Sequence, residues 1–565
     1  MRGERFKLED ITKIKSPDDI NKIRENYLEE AKKYSNTVLI CAGASCLASK
    51  SQAIKDALVE ELKKANLTDK VKVKFTGCMG FCAEGPAAIV EPDGVFYCRL
   101  KPSDMKAVVE KHLVGKNVVE ELCYSANGKR VPLMKDIEFF KRQMKLVLKN
   151  CGKIEFSNLI DYIGSDGYKA LEKALATMTP DQVIDEMKKS GLRGRGGAGF
   201  PTWLKWSLAR KTPADRKYII CNADEGDPGA FMDRTILDGD SFSVIEGMTI
   251  GGYGIGATKG YVYCRAENPI VIERLGMAID QAYEYGILGK NLLGSGFDFD
   301  LEIRIGAGAY VCGEETALMR SVEGQRGEPV QKPPFPTDAG LFGKPTVINN
   351  VETLACVPNI ILNGGDLYAS IGTEKCKGTK VFSISGDIVN TGVIEVPLGI
   401  TLREIVYDIG GGIPNGKKFK VAQTGGPSGG FLREENLDVK MDYALSDLGT
   451  ALGSGGLVVM DENTCLVDIA RYFMEFVKEE SCGKCVACRI GTRRMLEILE
   501  RILDGKGKEG DIELLKELSE TVKATALCGL GQTTPTTILS SIKLFRDEYD
   551  EHIRKNYCRA KKGGI

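Results

Sequence analysis

Four cysteines in the C-terminal part of the chain have the spacing of an iron–sulfur ligand set. Cys482, Cys485 and Cys488 follow one another at intervals of three residues just before an amphipathic helix, and Cys528 lies in a later loop. Three thiolates spaced in this way can turn toward one centre, and a remote fourth thiolate completes the ligand shell. Structural zinc more often uses two separate Cys-x-x-Cys pairs. The pattern predicts a 4Fe–4S cluster, with zinc as the alternative.

A second set of four cysteines lies near the N-terminus. Cys41 and Cys46 form one pair and Cys78 and Cys82 the other, and each pair falls where a predicted strand ends in a loop. Small residues between them leave backbone amides free to donate hydrogen bonds to sulfur, which tunes the potential of a cluster. This set predicts a 2Fe–2S cluster, again with zinc as the alternative.

A third group is smaller. One of only 2 histidines, His552, lies six residues before Cys558, and Cys465 is another cysteine of the same predicted helical segment. These three residues are a candidate zinc site. The other cysteines have no ligand spacing and are interpreted as buried apolar side chains: Cys98, Cys123, Cys151, Cys221, Cys264, Cys312, Cys356 and Cys376.

Length, charge and composition exclude several classes of protein. The 565 residues predict three or four domains at about 150 residues each. With 77 Lys+Arg against 78 Asp+Glu, the formal net charge is −1, which offers neither a basic stripe for nucleic acid nor a polybasic membrane anchor. The first residues are too charged for a secretory signal, and no uncharged apolar run reaches about 18 residues. We expect a cytoplasmic protein with reduced thiols, no nucleic-acid partner and no membrane insertion.

The elements that must position these cysteines predict an α/β multidomain chain. A capping-box pattern at Ser16–Asp19 starts a helical lead-in, and a β-α-β-β-β-α order follows that is typical of a small thioredoxin-like domain. A linker with one amphipathic helix near 138–148 comes next, then alternating helices and buried strands, a small mostly-β module and a helical segment. The predicted segments are 1–36, 37–118, 119–155, 156–370, 371–458 and 462–557.

A glycine-rich loop at 191–206 could bind a phosphate or a planar ring. Gly194, Gly196 and Gly199 formally satisfy G-x-G-x-x-G, but the preceding segment 180–189 is predicted to be a helix, so the ordinary Rossmann context fails. Exposed amides before a helix can still hold phosphate, and Lys205 adds a positive charge. The alternative is a tight structural turn.

Two acidic loops follow predicted strands. One contains Asn222, Asp224, Glu225 and Asp227, and the other runs from 306 to 316 into a helix. Loops at the carboxyl ends of strands are where α/β folds bind ligands. Carboxylates and amides suit the hydroxyls of a ribityl or ribose chain better than phosphates.

Five motifs occur here in one order. They are Gly-Arg-Gly-Gly-Ala-Gly-Phe-Pro-Thr at 194–202, Cys-Gly-Glu-Glu-Thr at 312–316, Lys-Pro-Pro-Phe-Pro at 332–336, Asn-Asn-Val-Glu-Thr at 349–353 and the C-terminal cysteines. With them the chain resembles the FMN-binding, NADH-oxidising subunit family of respiratory complex I. It is more similar still to the beta subunits of soluble FeFe hydrogenases and of NAD-linked formate dehydrogenases.

The resemblance implies a set of site residues. It places FMN against Gly194, Gly196, Lys205, Asn222, Asp224, Glu225, Gly313, Glu314, Glu315, Asn349, Asn350 and Thr353. It places the nicotinamide dinucleotide against Phe200, Asp227, Lys332 and Phe335. Glu315 would lie near the nicotinamide, and no side chain would act as a catalytic acid or base.

Two positions depart from the pattern of the complex I family. Leu208 stands where a second stacking Phe is expected, which leaves the adenine contact open. Asp227 stands where a Glu is expected; an acid there would repel a 2′-phosphate and favour NADH over NADPH.

The resemblance also implies that 371–458 is a soluble-ligand-binding β-grasp module and that 462–557 is a helical bundle holding the 4Fe–4S cluster. It implies an NADH-oxidising or NAD-reducing subunit of a hydrogenase or a formate dehydrogenase, in which hydride passes to FMN and single electrons pass on through the 4Fe–4S cluster. The implied partners are a small thioredoxin-like 2Fe–2S subunit and a larger iron–sulfur catalytic subunit. A non-catalytic iron–sulfur relay is the rival hypothesis.

Overall fold

The computed structural model describes residues 13–126, 128–561 and 563–564, so residues 1–12 of the predicted lead-in lie outside the described part. The lead-in helix begins where its capping box predicts, because Asp19 accepts hydrogen bonds from the backbone N–H and the hydroxyl of Ser16. The first elements are α1 (Pro17–Ala31), β1 (Asn36–Cys41), α2 (Ala44–Ala48), α3 (Ser51–Lys64), β2 (Val71–Thr76), β3 (Ala88–Glu91), β4 (Val95–Tyr97) and α4 (Met105–Ala107).

The N-terminal sheet brings the two cysteine loops to one edge. Its strand order is β2-β1-β3-β4, and β1 and β2 are parallel. Cys41 at the end of β1 pairs in register with Thr76 at the end of β2, so the loop after β2 leaves the sheet beside Cys41. The helix after β4 continues beyond α4 as π-helical turns over Val108–Val114.

The predicted linker is packed rather than extended. Its elements are β5 (Tyr124–Ala126), β6 (Lys129–Val131) and α5 (Glu138–Lys141). The prediction of a helix over 138–148 is wrong beyond Lys141. The buried carboxylate of Glu395 accepts hydrogen bonds from the backbone N–H groups of Leu146, Val147 and Leu148, which removes them from any helix.

The central region is a parallel α/β layer. The sheet order is β10-β7-β8-β9, all parallel, and helices supply the connections. Its elements are α6 (Leu159–Gly164), α7 (Lys169–Thr177), α8 (Pro180–Ser190), α9 (Thr202–Lys211), β7 (Tyr218–Ala223), α10 (Met232–Ile255), β8 (Lys259–Arg265), α11 (Pro269–Glu284), β9 (Asp300–Gly306), α12 (Glu315–Val322), α13 (Pro336–Ala339), β10 (Thr346–Asn350), α14 (Val351–Asn363) and α15 (Gly365–Ala369).

A five-stranded mixed sheet follows, in the order β12-β11-β15-β13-β14. Its strands are β11 (Thr379–Gly386), β12 (Gly392–Pro397), β13 (Phe419–Thr424), β14 (Phe431–Arg433) and β15 (Gly456–Asp461). The sheet agrees with the mostly-β module expected from the sequence.

The last section is helical, as predicted. It contains α16 (Leu466–Glu480), α17 (Val486–Leu503), α18 (Asp511–Thr525), α19 (Gly529–Thr533), α20 (Pro535–Lys555), β16 (Tyr557–Cys558) and β17 (Gly563–Gly564). The helices pack through apolar side chains such as Met474, Leu499 and Ile542. Over the described ranges, every helix is too short or too polar to cross a bilayer.

Candidate functional site

A crevice with many polar lining residues lies at the topological switch point of the parallel sheet. From β7 the chain moves to β8 and β9 on one side, and it returns to β10 on the other, so a crevice opens between the carboxyl ends of β7 and β10. Asn222 and Asn350 end these strands and pair in register. Both residues line a cavity of about 290 Å³, which is named the flavin cavity.

Seven of the twelve residues expected to contact FMN line this cavity. They are Gly196, Asn222, Asp224, Glu225, Gly313, Glu314 and Asn350. Asp227, expected in the nucleotide site, lines it too. The glycine-rich loop, both acidic loops and the Asn-Asn motif therefore converge on one cavity, although they are up to 150 residues apart along the chain.

Asp224 is the clearest sign that the flavin cavity is built for a polar ligand. Its side chain is 1% exposed, yet neither carboxylate oxygen has a hydrogen-bond partner in the protein. Burial raises the pKa of Asp224 to about 7, although the charge of Arg265 opposes this shift. An unpartnered buried carboxylate suits the hydroxyl donors of a ribityl chain, so the donor set fits FMN.

The glycine-rich loop approaches the cavity closely. A Cβ atom on Gly196 would lie 3.1 Å from the Asn350 Cβ, which is tighter than an ordinary contact. The Asn350 amide donates a 2.5 Å hydrogen bond to Asp233, and its side-chain oxygen accepts from the N–H of Glu352. Asn350 thereby caps α14 and also fixes the floor of the cavity.

Glu225 connects the cavity to a long buried helix. Its two carboxylate oxygens accept hydrogen bonds from the N–H groups of Asp233 and Arg234 in the first turn of α10, at 2.9 and 3.0 Å. A carboxylate at a helix N-terminus is stabilised by the helix dipole. Asn222 donates to the Gly313 carbonyl at 2.9 Å and so joins the two acidic loops.

Two residues of the expected FMN set lie behind the cavity wall instead. The Asn349 side-chain oxygen accepts a hydrogen bond from the Trp206 indole at 2.8 Å, and the Thr353 hydroxyl accepts one from the N–H of Arg195 at 2.8 Å. Both side chains are buried. They fix the glycine-rich loop against β10 and α14.

Lys332, which is expected to bind the nucleotide, forms a charged cluster with Glu315 and Lys205. Lys205 Nζ is 3.5 Å from one oxygen of Glu315, and Lys332 Nζ is 2.7 Å from the other. Burial opposes ionisation of Glu315, but these two lysines outweigh it and lower its pKa. Lys205 also lies 5.9 Å from the centre of the Phe200 ring. Phe200 and Phe335 are 45% and 54% exposed, so both rings offer a free face for stacking.

Asp227 is held by two hydroxyl groups. Tyr310 donates to one carboxylate oxygen at 2.5 Å, and Ser454 donates to the other at 2.9 Å. Burial raises the pKa of Asp227, and these hydrogen bonds oppose that shift.

The five-stranded module contributes part of the flavin cavity. The sequence did not predict this contribution. Ser428 and Ser454 line it, and the Tyr443 hydroxyl donates to the Gly194 carbonyl at 2.7 Å. A signal was present in the Gly-Ser-Gly-Gly run at 453–456, a second small-residue loop at the start of a strand.

The four C-terminal cysteines line a second cavity. Cys482 and Cys485 lie between α16 and α17, Cys488 lies in the first turn of α17, and Cys528 immediately precedes α19. The Ser481 hydroxyl lies 3.2 Å from the Cys488 sulfur, and burial raises the pKa of that thiol to about 11. Four sulfurs around one small cavity agree with the predicted cluster.

The flavin cavity and the C-terminal cysteine cavity have a common wall. Val311 and Leu530 line both of them. Val311 lies in the second acidic loop, and Leu530 follows Cys528 in α19. A ligand in either cavity would therefore contact the same two apolar side chains.

The N-terminal cysteines line a third cavity. The neighbouring thiols of Cys46 and Cys78 lower the pKa of Cys41, and Cys78 likewise lowers the pKa of Cys82. The Gly80 N–H donates to the Cys78 sulfur at 3.3 Å, as the small residues of this loop predict. The four predicted ligands are therefore brought together.

Cys465, His552 and Cys558 also meet. Their ligand atoms all lie within 4.8 Å of one another, and the Cys465 sulfur is 3.5 Å from His552 Nε2. His552 Nδ1 lies 2.8 Å from the Glu548 carbonyl, which only accepts, so Nδ1–H donates and the Nε2 lone pair faces the cysteines. Among the described residues, no other three His, Cys, Asp or Glu side chains bring ligand atoms this close.

Four family profiles match the chain along its length. Residues 25–113 match the thioredoxin-like 2Fe-2S ferredoxin, 187–359 the Nuo51 FMN-binding domain, 381–432 the SLBB domain, and 468–552 the NADH-ubiquinone oxidoreductase-F iron-sulfur binding region. The predicted cofactors, FMN, 2Fe–2S and 4Fe–4S, and the predicted multidomain fold are thereby confirmed.

Similar proteins are redox subunits. HndC, the NADP-reducing hydrogenase subunit of Solidesulfovibrio fructosivorans, is 58% identical over 421 residues, which cover 74% of this chain and 86% of HndC. An F-type subunit of NADH-quinone oxidoreductase from Rhizobium meliloti is 45% identical over 73% of this chain and 98% of its own. A solved NAD+-reducing NiFe-hydrogenase chain in the H2-reduced state superposes with a TM-score of 0.66 and 28% identity, covering 96% of this chain and 91% of that one.

Proposed function

Because this chain belongs to the family of the F-type NADH-quinone oxidoreductase subunits and of the hydrogenase protein HndC, we propose that it is the electron-input subunit of a hetero-oligomeric oxidoreductase. It oxidises NADH, or reduces NAD+, at FMN and exchanges electrons through its 4Fe–4S cluster. The observation that carries this proposal is the wall of Val311 and Leu530 common to the flavin cavity and the C-terminal cysteine cavity.

The ligand sets are part of the proposal. Cys482, Cys485, Cys488 and Cys528 hold the 4Fe–4S cluster, and Cys41, Cys46, Cys78 and Cys82 hold the 2Fe–2S cluster. The proposed FMN ligands are the seven cavity-lining residues, with Gly194, Lys205, Glu315, Asn349 and Thr353 fixing the loops that carry them. Cys465, His552 and Cys558 form a structural zinc site.

FMN, when bound, takes a hydride from NADH and passes electrons singly to iron–sulfur centres. The chain's own residues hold the dinucleotide and the flavin in position. Phe200 and Phe335 stack against the dinucleotide, Lys332 binds its phosphates, and Asp224 and Glu225 orient the flavin side chain. The two histidines lie elsewhere: His112 bonds Tyr97 in the ferredoxin domain, and His552 lies in the helical bundle. No side-chain acid or base is required, and contact geometry governs the rate.

The nucleotide preference follows from Asp227. Its ionised carboxylate would repel the 2′-phosphate of NADPH, so we propose NADH as the substrate, although HndC is described as NADP-reducing. Asp227→Asn should raise kcat/KM for NADPH at least about tenfold, which corresponds to about 1.4 kcal/mol, and change that for NADH much less. Tyr310→Phe separates the hydrogen bond from the carboxyl group, because it removes one hydrogen bond and leaves the carboxyl group of Asp227 in place. An unchanged NADPH/NADH ratio in Asp227→Asn would contradict this role.

The partners and the location extend the proposal. The electron acceptor is a larger iron–sulfur catalytic subunit of the hydrogenase type, with a formate-dehydrogenase type as the alternative, and a small thioredoxin-like 2Fe–2S subunit accompanies it. None of the 18 cysteines, all of which lie in the described ranges, forms a disulfide bond, which suits the reducing cytoplasm. Purification from the native source with identification of the co-purifying subunits tests this part.

The decisive experiment for the activity is an anaerobic absorption spectrum of the purified chain. Addition of NADH should bleach a flavin band and then reduce the iron–sulfur bands. Iron–sulfur absorption without flavin would support the rival hypothesis, a non-catalytic relay, and would refute the proposed activity.

A further inference from the structure

The neighbouring flavin domain forms part of the wall of the cavity that contains the N-terminal cysteines. Its lining combines the two cysteine loops with the N-terminal turns of α10 and α11, including Phe231, Asp238 and Asn268. The interface is tight, because a Cβ atom on Gly77 would lie 2.1 Å from the Gly239 Cα. Charges of the flavin domain are therefore part of the surroundings of the proposed 2Fe–2S cluster.

Arg274 of α11 crosses this interface. Its Nη2 donates a 2.7 Å hydrogen bond to the carbonyl of Ala42, the residue after Cys41. Its guanidinium carbon lies 3.5 Å from the centre of the Phe156 ring, and the residue is only 4% exposed. A buried, stacked and doubly anchored guanidinium holds its charge in one place.

Asp238 of α10 supplies the opposite charge. Its carboxylate oxygen is 2.5 Å from Arg274 Nη1, and its backbone carbonyl accepts a hydrogen bond from the same nitrogen at 3.0 Å. Asp238 lines the cysteine cavity directly, whereas Arg274 reaches the cysteine loop through the Ala42 carbonyl. The cavity lining therefore contains one buried anion, Asp238, and two exposed charges, Arg234 and Glu267. The buried cation, Arg274, bonds to the cysteine loop, and all four charges come from outside the ferredoxin domain.

Buried charges of this kind act on a one-electron centre. Reduction adds negative charge to the cluster, so a nearby cation favours it and a nearby anion opposes it. Such interactions are stronger in the low-dielectric interior than in water. Removal of either charge must consequently shift the reduction potential in a defined direction.

We propose that Asp238 and Arg274 are positioning residues that set the reduction potential of the N-terminal cluster. The reduction potential of the cluster then depends on the docking of the flavin domain against the ferredoxin domain, and not on the ferredoxin domain alone. This inference rests on the proposed function, namely on the ligand set Cys41, Cys46, Cys78 and Cys82.

The test is a redox titration of the full-length protein at pH 8, followed by EPR of the reduced 2Fe–2S cluster at a temperature where the 4Fe–4S signal is broadened. Asp238→Asn leaves Arg274 unopposed, because arginine stays protonated. It should favour the reduced cluster at least tenfold, a rise of about 59 mV. Adding Arg274→Gln to that variant removes the cation and should lower the potential again.

The chain offers a matched control in the helical bundle. Asp511 is also buried, at 4% exposure, and also lies 2.5 Å from an arginine, Arg501. We expect Asp511→Asn to destabilise the protein about as much as Asp238→Asn does, and to leave the reduction potential of the N-terminal cluster unchanged.

The outcomes are distinct. A raised potential in Asp238→Asn that falls in the double variant supports the inference, and an unchanged potential in Asp238→Asn overturns it. An equal shift in Asp511→Asn also overturns it, because the effect would then be structural. If the double variant loses its cluster, the reduction potential of Asp238→Asn alone tests the inference. A raised potential supports it, and an unchanged or lowered potential overturns it. A wild-type protein without the 2Fe–2S signal would instead refute the proposed ligand set.

Discussion

Asp224 should destabilise the flavin-free protein, because its carboxylate is buried without a hydrogen-bond partner. Asp224→Asn keeps the shape of the side chain and removes the charge. The nearest cation, Arg265, lies 3.7 Å from the carboxylate, which is too far for a hydrogen bond. Removing the charge should therefore stabilise the flavin-free protein at a pH where Asp224 is ionised.

The size of the effect follows from the pKa. Burial raises the pKa of Asp224 from 3.8 to about 7. Between pH 4 and pH 7 the native state therefore holds a proton that the unfolded state has released, so stability falls as the pH rises through this window. Three pKa units at about 1.4 kcal/mol each give about 4 kcal/mol as an upper limit. The loss is complete above pH 7 and absent below pH 4.

The same substitution should weaken flavin binding. A charged acceptor contributes about 1.5–3 kcal/mol per hydrogen bond, so Asp224→Asn should raise the Kd for FMN on the order of 10- to 100-fold. Stability and affinity are thus expected to change in opposite directions, as is typical of a residue that is kept for function.

The assay is thermal unfolding of flavin-free protein at pH 4.5 and pH 8, with FMN titration at pH 8. The unfolding temperatures of wild type and Asp224→Asn should lie closer together at pH 4.5, and the variant should unfold several degrees higher at pH 8. Asp181→Asn is the control, since that side chain is 76% exposed and its pairing with Arg210 should make only a small contribution to stability at either pH. A variant no more stable than wild type at pH 8 would refute the reasoning.

Two further predictions concern the metal centres. Cys485→Ser should abolish the 4Fe–4S EPR signal while FMN content stays normal, because Cys485 does not line the flavin cavity; Cys376→Ser, a buried thiol outside both cysteine sets, is its control. A surviving signal would show that the ligand set is wrong. His552→Ala should remove one zinc per chain and lower the unfolding temperature, measured by elemental analysis and calorimetry, whereas His112→Ala should leave zinc unchanged. Equal zinc in His552→Ala and wild type would exclude the site.

The sequence predicts the parts of the flavin site that depend on local rules. Asn222 and Asn350 end strands, and parallel strands bring their carboxyl ends to one edge, so their meeting follows from the strand assignment. The C-terminal cysteine set follows from its spacing, and the N-terminal set follows from its place at the ends of two predicted strands. Asn349 and Thr353 differ: they belong to the same motif, but their side chains bond to Trp206 and Arg195 behind the cavity. A motif identifies a segment, whereas only packing decides which of its side chains faces the ligand.

Long-range contacts explain what the sequence could not predict. The helix expected over 138–148 has the right periodicity, but Glu395, some 250 residues later, accepts the amides that this helix would need. Ser428 and Ser454 reach the flavin cavity only because the five-stranded module docks on the parallel sheet. The small-residue run at 453–456 marks a loop but not the cavity that the loop meets, and the residues at 138–148 give no sign of Glu395, since each contact joins two segments far apart in the chain.

The first turn of α10 unites these observations. Asp233 lines the flavin cavity, and Arg234, the next residue, lines the cavity of the N-terminal cysteines. Glu225 binds the backbone N–H groups of both. Elsewhere in its lining, Val311 and Leu530 also line the cavity of the C-terminal cysteines. The flavin cavity thus borders both cluster cavities, through consecutive residues of one helical turn in one case and through two apolar side chains in the other. Because each boundary is formed where domains dock, the docking of the domains controls the distances on which electron transfer depends.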